Sequence, residues 1–204
     1  IAFVCTYPFV QGERDFGMEV LAVPQVKGEI TYRSYIIVPQ LSHAQSLLDL
    51  RGKRFASADI LSNSGWLFPV TWLKSNGEDP ESFFSEHVIT GSHDRAVRAV
   101  VTGYVDGAAV DSLVYDQLAD EDPASRAKTK VILQSPPFGM PPVVVHPDMD
   151  TALRSHLLEV LLKMHEDPRG RQALSPLRID RFVVPDDSLY DSVREAAAIL
   201  EAQR

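Results

Sequence analysis

Arg54-Phe-Ala-Ser-Ala-Asp-Ile-Leu-Ser-Asn-Ser-Gly-Trp66 is the stretch of sequence that decides the fold of this chain. It opens as a strand-like run, and after it Trp66, Val70 and Leu73 recur at the spacing of one helix face. Serine and asparagine between a strand and a helix accept the N–H groups of the first helical turn. The same N–H groups bind oxyanions, helped by the helix dipole. Taken alone, residues 62–64 therefore indicate either a plain helix cap or an anion site.

The same pattern recurs along the middle of the chain. His87-Val-Ile-Thr90 predicts a strand, Gly91-Ser-His-Asp94 a polar turn before a helix, and Val105-Asp-Gly-Ala-Ala-Val110 a buried strand ending at Asp111. Strands that alternate with helices are typical of an α/β fold with a parallel sheet. Because ligands of such sheets bind beyond the carboxyl ends of the strands, these polar turns predict one shared site.

Composition narrows the class of protein. The chain has 204 residues, 45% of them hydrophobic, and a formal net charge of −8. An acidic chain of this size predicts one large or two small globular domains and argues against nucleic-acid or anionic-membrane partners. The single cysteine, Cys5, excludes an intramolecular disulfide and a multi-cysteine metal site. The scattered histidines give no metal-ligand pattern, and no apolar run is long enough for a membrane span. We therefore predict no metal and no cofactor.

Several segments together resemble the phosphonate-binding family of solute-binding proteins of ABC transporters. They are Gly52-Lys-Arg-Phe-Ala56, Ser62-Asn-Ser-Gly65, Gly91-Ser-His-Asp94 and Val105-Asp-Gly-Ala-Ala-Val-Asp-Ser112, with Thr31-Tyr-Arg-Ser34, Ser135-Pro-Pro137 and Asp186-Asp-Ser-Leu-Tyr190 fitting as well. The resemblance runs over nearly the whole chain. It implies the type II periplasmic binding protein fold: two α/β domains, each a mostly parallel sheet flanked by helices, which close on the ligand between them like a hinge.

The resemblance also implies how the chain is divided. The chain is expected to cross between domains near residues 39–46 and 136–142, so that residues 1–42 and 140–204 form domain one and residues 43–139 form domain two. The opening Ile1-Ala-Phe-Val-Cys5 reads as the inside of a strand that ends in a Thr6-Tyr-Pro8 turn. We therefore expect the first strand and helix of domain one, which contribute to the ligand site in the family, to precede residue 1.

The resemblance implies a phosphorus oxyanion as ligand: a phosphonate, phosphite or phosphate. Hydroxyl groups and helix-start N–H groups would hold it, joined by a tyrosine, a histidine and an aspartate. The residues in these positions are Ser62, Asn63, Ser64, Tyr32, His93 and Asp111. The family usually has threonine where this chain has Asn63, whose amide can still donate. We add Tyr7, which lies at another predicted strand end.

Each of these residues also has a purely structural interpretation. Ser62 and Ser64 can be helix caps, His93 a solvated residue of a first helical turn, and Asp111 the cap of a helix that starts near Leu113. Tyr32 can pack in the core. If Asp111 does face the ligand, its carboxylate favours an oxyanion that carries a proton, because it can accept a hydrogen bond from a P–OH group and would repel sulfate.

The resemblance implies that the chain is not an enzyme but the periplasmic, or otherwise extracytoplasmic, partner of an ABC transporter permease, either free or lipid-anchored. Two alternatives stay open. One is a ligand-sensing domain of a signalling protein with the same fold. The other is a hydrolase, since Ser64, His93 and Asp111 supply the residue types of a nucleophilic triad. The Gly-x-Ser-x-Gly elbow of many serine hydrolases is absent around Ser64.

Overall fold

The computed structural model describes residues 1–201, which contain both strands and helices. The strands are β1 (Ala2–Phe3), β2 (Glu19–Gln25), β3 (Thr31–Tyr32), β4 (Ser34–Pro39), β5 (Arg54–Ser57), β6 (Glu86–Ile89), β7 (Gly107–Asp111), β8 (Thr129–Gln134), β9 (Phe138–Gly139), β10 (Val143–Val145) and β11 (Arg181–Val183). The α-helices are α1 (Thr6–Phe16), α2 (Phe68–Ser75), α3 (Pro80–Phe83), α4 (His93–Val101), α5 (Ser112–Glu121), α6 (Pro123–Arg126), α7 (Thr151–Lys163), α8 (Pro168–Leu174) and α9 (Asp191–Glu201). A π-helical turn, Asn63–Leu67, runs directly into α2. Short 3₁₀ turns cover Leu47–Leu50, Ser175–Leu177 and Asp187–Tyr190.

The first compact unit consists of residues 1–32 and 138–195. Its main sheet has the strand order β1-β10-β2-β11, and β3 pairs separately with β9. Apolar side chains from β2, β10 and β11 pack against those of α7 and α8. The buried members of this core are Leu21, Ala22, Val143, Val145, Leu161, Leu174 and Phe182.

The second unit consists of residues 33–137 and 196–201 of the described chain. Its five-stranded sheet has the order β6-β5-β7-β4-β8. Ala96, Val97 and Val100 of α4 pack on Ile37 and Val110 of the sheet. Strands β6, β5 and β7 run parallel, so their carboxyl ends lie at one edge of the sheet. The three polar turns singled out in the sequence follow these three strands.

The α/β class is confirmed, but the expectation of mostly parallel sheets needs a correction. Each strand pair of the four-stranded sheet is antiparallel, and in the second unit β4 runs antiparallel to both β7 and β8. The helical crossover from β7 to β8 does bring these two strands into the same direction. However, β4 lies between them, so the crossover joins strands that are not neighbours. Alternation along the sequence predicts strand direction but not which strands pair.

The predicted turn at Thr6-Tyr-Pro8 is wrong, because these residues begin helix α1. Pro8 sits in the first turn of α1, where a missing N–H breaks no intrahelical hydrogen bond. The helix ends at Gly17, whose φ of 71° is the left-handed conformation that glycine adopts without strain.

The boundaries between the units also differ from those expected. Domain one was expected to extend to residue 42, whereas β4 pairs with β7 and β8 of the second unit, so the boundary follows residue 32. The other boundary between the units follows residue 137. Residues 196–201, assigned to domain one by the sequence, cluster with the second unit.

Candidate functional site

The Ser62 turn, residues 62–67, begins a helix with a π-helical pattern. The Ser62 hydroxyl accepts a hydrogen bond from the Gly65 N–H at 2.9 Å. The Ser62 carbonyl accepts from the N–H groups of Trp66 and Leu67, each at 3.0 Å. Ser62, Asn63 and Ser64 are 6%, 2% and 2% exposed, so the helix start is shielded from bulk water. A shielded helix start is where backbone N–H groups and the helix dipole act most strongly on an anion.

His93, the first residue of α4, connects the Ser62 turn to the end of β7. Its Nδ1 accepts a hydrogen bond from the Asp111 backbone N–H at 3.1 Å. In a neutral ring the proton must then be on Nε2, which lies 3.4 Å from the Ser62 hydroxyl oxygen. Burial lowers the pKa of His93 to about 4, against a smaller opposing effect of Asp94. At neutral pH His93 is therefore an uncharged Nε2–H donor aimed at the Ser62 turn.

Gly65 makes this close approach possible. A Cβ atom at this position would lie 3.0 Å from the Ser62 hydroxyl oxygen and 3.3 Å from Cε1 of His93. It would also lie 3.2 Å from the backbone nitrogen of Ala58. Any side chain at residue 65 would therefore push the serine and the histidine apart.

Asp111 ends β7 and caps α5, as one of the two interpretations of the sequence predicted. Its Oδ1 accepts from the Leu113 N–H at 2.7 Å. Burial raises the pKa of the carboxyl group to about 6, although N–H groups at the start of α5 oppose the shift. The carboxylate is thus mostly ionised at pH 7 and becomes protonated in mildly acidic solution. Capping α5 and facing a ligand are compatible roles for a carboxylate with two oxygens.

The hydrolase alternative requires a different arrangement of the same residues. In a nucleophilic triad the aspartate carboxylate accepts a hydrogen bond from one histidine nitrogen, and the other nitrogen takes the proton of the nucleophile. Here Nδ1 of His93 accepts from the backbone of Asp111, and Nε2 faces Ser62 rather than Ser64. The ring is therefore arranged as a donor and not as a general base.

The two predicted tyrosines belong to the first unit, and both are buried. The Tyr32 hydroxyl donates to the Thr6 hydroxyl at 3.3 Å, and Thr6 in turn donates to the Gly139 carbonyl at 3.1 Å. Tyr7 follows Thr6 in the first turn of α1. The start of α1 therefore brings together Thr6, Tyr7 and Tyr32. Sequence reasoning missed Thr6 because it missed α1, for which Pro8 in a first-turn position was the available signal.

Within residues 1–201 no group of three or more histidine, cysteine, aspartate or glutamate side chains is arranged to hold a metal ion. None of the helices in that range is both long and apolar enough to cross a bilayer.

Comparisons with known proteins place this fold and site in context. Residues 1–190 match the family model described as "ABC transporter, phosphonate, periplasmic substrate-binding protein". A curated relative, "Probable ABC transporter phosphite binding protein PhnD1" of Prochlorococcus marinus (strain MIT 9301), is 22% identical over 192 residues. The aligned region is 91% of this chain but 63% of the relative, so this chain spans less than two thirds of that protein's length.

Two solved structures share the fold. The binding-protein component PA3383 of an ABC phosphonate transporter from Pseudomonas aeruginosa has a TM-score of 0.84 and 22% identity, over 96% of this chain and 67% of that one. PhnD1 of P. marinus in complex with methylphosphonate has a TM-score of 0.82 and 20% identity, over 97% of this chain and 77% of that one. At these identities the two structures show a common fold, and no more.

Proposed function

This chain belongs to the periplasmic substrate-binding proteins of phosphonate ABC transporters, and we propose that it captures a phosphorus oxyanion for import. The ligand class is a phosphonate, phosphite or phosphate. The curated relative is named for phosphite, and one solved structure of the same fold holds methylphosphonate. We propose Ser62, Asn63, Ser64, His93 and Asp111 as the residues of the second unit that hold the ligand.

One observation carries the proposal: a neutral histidine donor and a shielded helix start converge on the Ser62 hydroxyl. That hydroxyl already accepts from Gly65 N–H and faces the Nε2–H of His93, so its own proton is left to be donated to a ligand. An oxyanion bound there would receive hydrogen bonds from uncharged groups and the positive end of a helix dipole. Such a site binds an anion without a charged side chain as counterion.

Asp111 gives the proposed site its selectivity. An ionised carboxylate repels an anion unless the anion carries a proton that the carboxylate can accept. Phosphonate, phosphite and phosphate monoanions carry a P–OH group, and sulfate carries no proton near neutral pH. Asp111 would therefore accept a short hydrogen bond from a phosphorus oxyanion and leave sulfate facing an uncompensated charge.

Family membership supports the rest of the proposed role. We propose that the protein works outside the cytoplasm and delivers its ligand to an ABC permease, and that it binds rather than converts the ligand. The donor arrangement of His93 agrees with binding, since this ring is not placed to activate a nucleophile. Tyr7 and Tyr32 stay predictions from the sequence.

Calorimetric titration tests the proposal with methylphosphonate, phosphite, phosphate and sulfate, each at pH 7. We expect saturable one-to-one binding of at least one phosphorus oxyanion and much weaker binding of sulfate. A thermal-unfolding series gives an independent readout, because a ligand at a hundred times its Kd adds about 2.7 kcal/mol to the free energy of unfolding. Absence of binding to all three phosphorus oxyanions, with no shift in the thermal midpoint, would refute the proposed function.

A further inference from the structure

Pro69, two residues beyond the Ser62 turn, interrupts the hydrogen bonding of the helix that follows. Proline has no backbone N–H, so residue 69 cannot donate to the helix. In an α-helical pattern that N–H would bond the Gly65 carbonyl, and in a π-helical pattern it would bond the Ser64 carbonyl. Ser64 and Pro69 are buried, as is Gly65 between them. The Phe68 N–H bonds the Asn63 carbonyl, so neither Phe68 nor Pro69 serves the Ser64 carbonyl, and the Gly65 carbonyl lacks its α-helical donor. Because a buried carbonyl group needs a donor, a hydrogen bond from outside the helix stabilises each of them.

Two buried serines from the sheet supply these donors. The Ser34 hydroxyl, at the start of β4, donates to the Ser64 carbonyl at 2.6 Å. The Ser57 hydroxyl, at the end of β5, donates to the Gly65 carbonyl. Both serines are 0% exposed. The carbonyls of Ser64 and Gly65, to which Pro69 cannot donate, are therefore hydrogen-bonded to two strands of the sheet.

His87 on β6 contacts the Ser57 hydroxyl. Its Nε2 lies 2.7 Å from the Ser57 hydroxyl oxygen. A serine hydroxyl has one proton, and at Ser57 that proton goes to the Gly65 carbonyl, so Nε2 of His87 must carry a proton and donate it. The imidazole ring is stacked on Trp66 with ring centroids 4.8 Å apart. Burial lowers the pKa of His87 to about 4, which keeps the ring neutral at pH 7.

We propose that Ser34, Ser57 and His87 are positioning residues for ligand binding. They hold the carbonyl side of the Ser62 turn against the sheet, and this fixes where the N–H side of the same peptide groups points. None of the three needs to touch the ligand. This inference rests on the proposed function, because it concerns the geometry of the turn that would bind the oxyanion.

Ser57→Ala is the direct test, with methylphosphonate and phosphite as titrants at pH 7. Loss of the donor leaves the Gly65 carbonyl unsatisfied, and we expect the turn to shift and the Kd to rise about tenfold. Thr71→Val is the matched control. The buried Thr71 hydroxyl donates at 2.8 Å to the carbonyl of Leu67, the last residue of the Ser62 turn, and at 3.2 Å to the Phe68 carbonyl. Both carbonyls lie away from the N–H groups at the start of the turn, so removing this hydroxyl should leave the Kd unchanged.

A second substitution separates positioning from general damage. Pro69→Ala restores an N–H in the helix that can reach the Gly65 carbonyl. We therefore expect the double variant Ser57→Ala/Pro69→Ala to recover a Kd within about threefold of wild type, because the carbonyl regains a donor. If Ser57 only stabilised the fold, Ser57→Ala would lower the thermal midpoint, and adding Pro69→Ala would not restore the affinity.

Two substitutions of His87 test the same inference if Ser57→Ala does not fold. His87→Gln retains an N–H donor for Ser57, and His87→Phe retains the ring without a donor. We expect the glutamine variant to bind about as wild type does and the phenylalanine variant to bind about tenfold more weakly. A wild-type Kd in Ser57→Ala, or equal affinities in the two His87 variants, would overturn the inference. A wild-type protein that binds neither titrant would overturn the proposed function itself.

Discussion

Two helix starts in this molecule are capped by hydrogen bonds of the same length but differ in charge and burial. Ser62 and Asp150 each cap a helix. Each side chain accepts a hydrogen bond from the N–H three residues later in the chain, and both bonds are 2.9 Å long. The Ser62 cap is neutral and buried, whereas the Asp150 cap at the start of α7 is exposed and carries a carboxylate. The comparison teaches that a helix cap becomes an anion site through its charge and its surroundings, and not through cap geometry.

The same division extends to other helices. Aspartate side chains also cap α3, α6 and α8, namely Asp79, Asp122 and Asp167. The helices that begin at the candidate site next to β5 and β6 start instead after Ser62 and Ser92. An ionised aspartate stabilises a helix start by occupying the place that an anionic ligand would otherwise take. Neutral caps leave that place open.

Ser62→Asp should cause the largest loss of affinity, because it gives the proposed site a charged cap like that at the start of α7. The aspartate can still cap the turn, but its charge would lie within a few ångströms of the bound oxyanion. Like charges about 4 Å apart repel by about 4 kcal/mol at an effective dielectric constant near 20, which corresponds to a loss of affinity of several hundred-fold or more. Calorimetry with methylphosphonate measures the loss.

The reciprocal change, Asp150→Ser, is the control. It makes the α7 cap neutral at an exposed site, and it should leave methylphosphonate affinity unchanged while altering stability by at most about 1 kcal/mol. If Ser62→Asp bound as well as this control, the charge of the cap would not matter and the comparison would fail.

His93→Ala removes the side-chain donor, the Nε2–H of His93, that faces the Ser62 cap. A hydrogen bond to a charged ligand contributes about 1.5–3 kcal/mol, so affinity for methylphosphonate should fall by about 10- to 150-fold. Circular dichroism would establish that the variant is folded. Wild-type affinity in a folded His93→Ala protein would show that the turn alone binds the ligand.

Asp111 is the exception to the comparison, as an aspartate cap linked directly to the candidate site. Asp111→Asn keeps an acceptor for the Leu113 N–H and removes the charge. We expect the ratio of methylphosphonate to sulfate affinity to fall by about tenfold, mainly because sulfate is no longer repelled, a change of about 1.4 kcal/mol. Competition titrations measure the ratio. A variant that rejects sulfate as firmly as wild type would leave Asp111 as a helix cap only.

The pH dependence of sulfate binding also tests whether the charge of Asp111 repels sulfate, and the expected effect is smaller. Burial raises the pKa of Asp111 to about 6, so the carboxyl group gains its proton as pH falls through 6. The protonated form no longer repels sulfate and can donate a hydrogen bond to it. Sulfate affinity of the wild type should therefore rise several-fold between pH 7 and pH 5, relative to Asp111→Asn at the same pH. Parallel titrations of the two proteins would reveal an equal pH dependence if Asp111 were not responsible.

Local signals in the sequence predicted the parts of the fold that depend on local chemistry. The cap at Ser62, the strand before it and the cap at Asp111 all follow from residue types within a few positions of one another. The start of α1 was missed because Pro8 serves equally well in a turn and in a first helical turn. The pairing of β4 between β7 and β8 has no local signal, since it joins residues far apart in the chain.

The supporting residues of the candidate site were unpredictable for a similar reason. Ser34 and Ser57 read as ordinary small residues of strands, and His87 as one polar residue on a strand. Their roles come from contacts with the Ser62 turn: Ser34 is 30 residues from Ser64, and Ser57 is 8 residues from Gly65 along the chain. Pro69 was a visible clue, because a proline in a buried helix leaves carbonyl groups that another element must serve.

A crystal structure of the protein with methylphosphonate would show whether the Ser62 turn is the anion site. We expect phosphonate oxygens at the start of this turn, within hydrogen-bond distance of the Ser62 hydroxyl and of Nε2 of His93. We also expect the P–OH group to face Asp111. A phosphonate bound elsewhere in a crystal with the Ser62 turn accessible, or bound there with His93 turned away, would refute the proposed site.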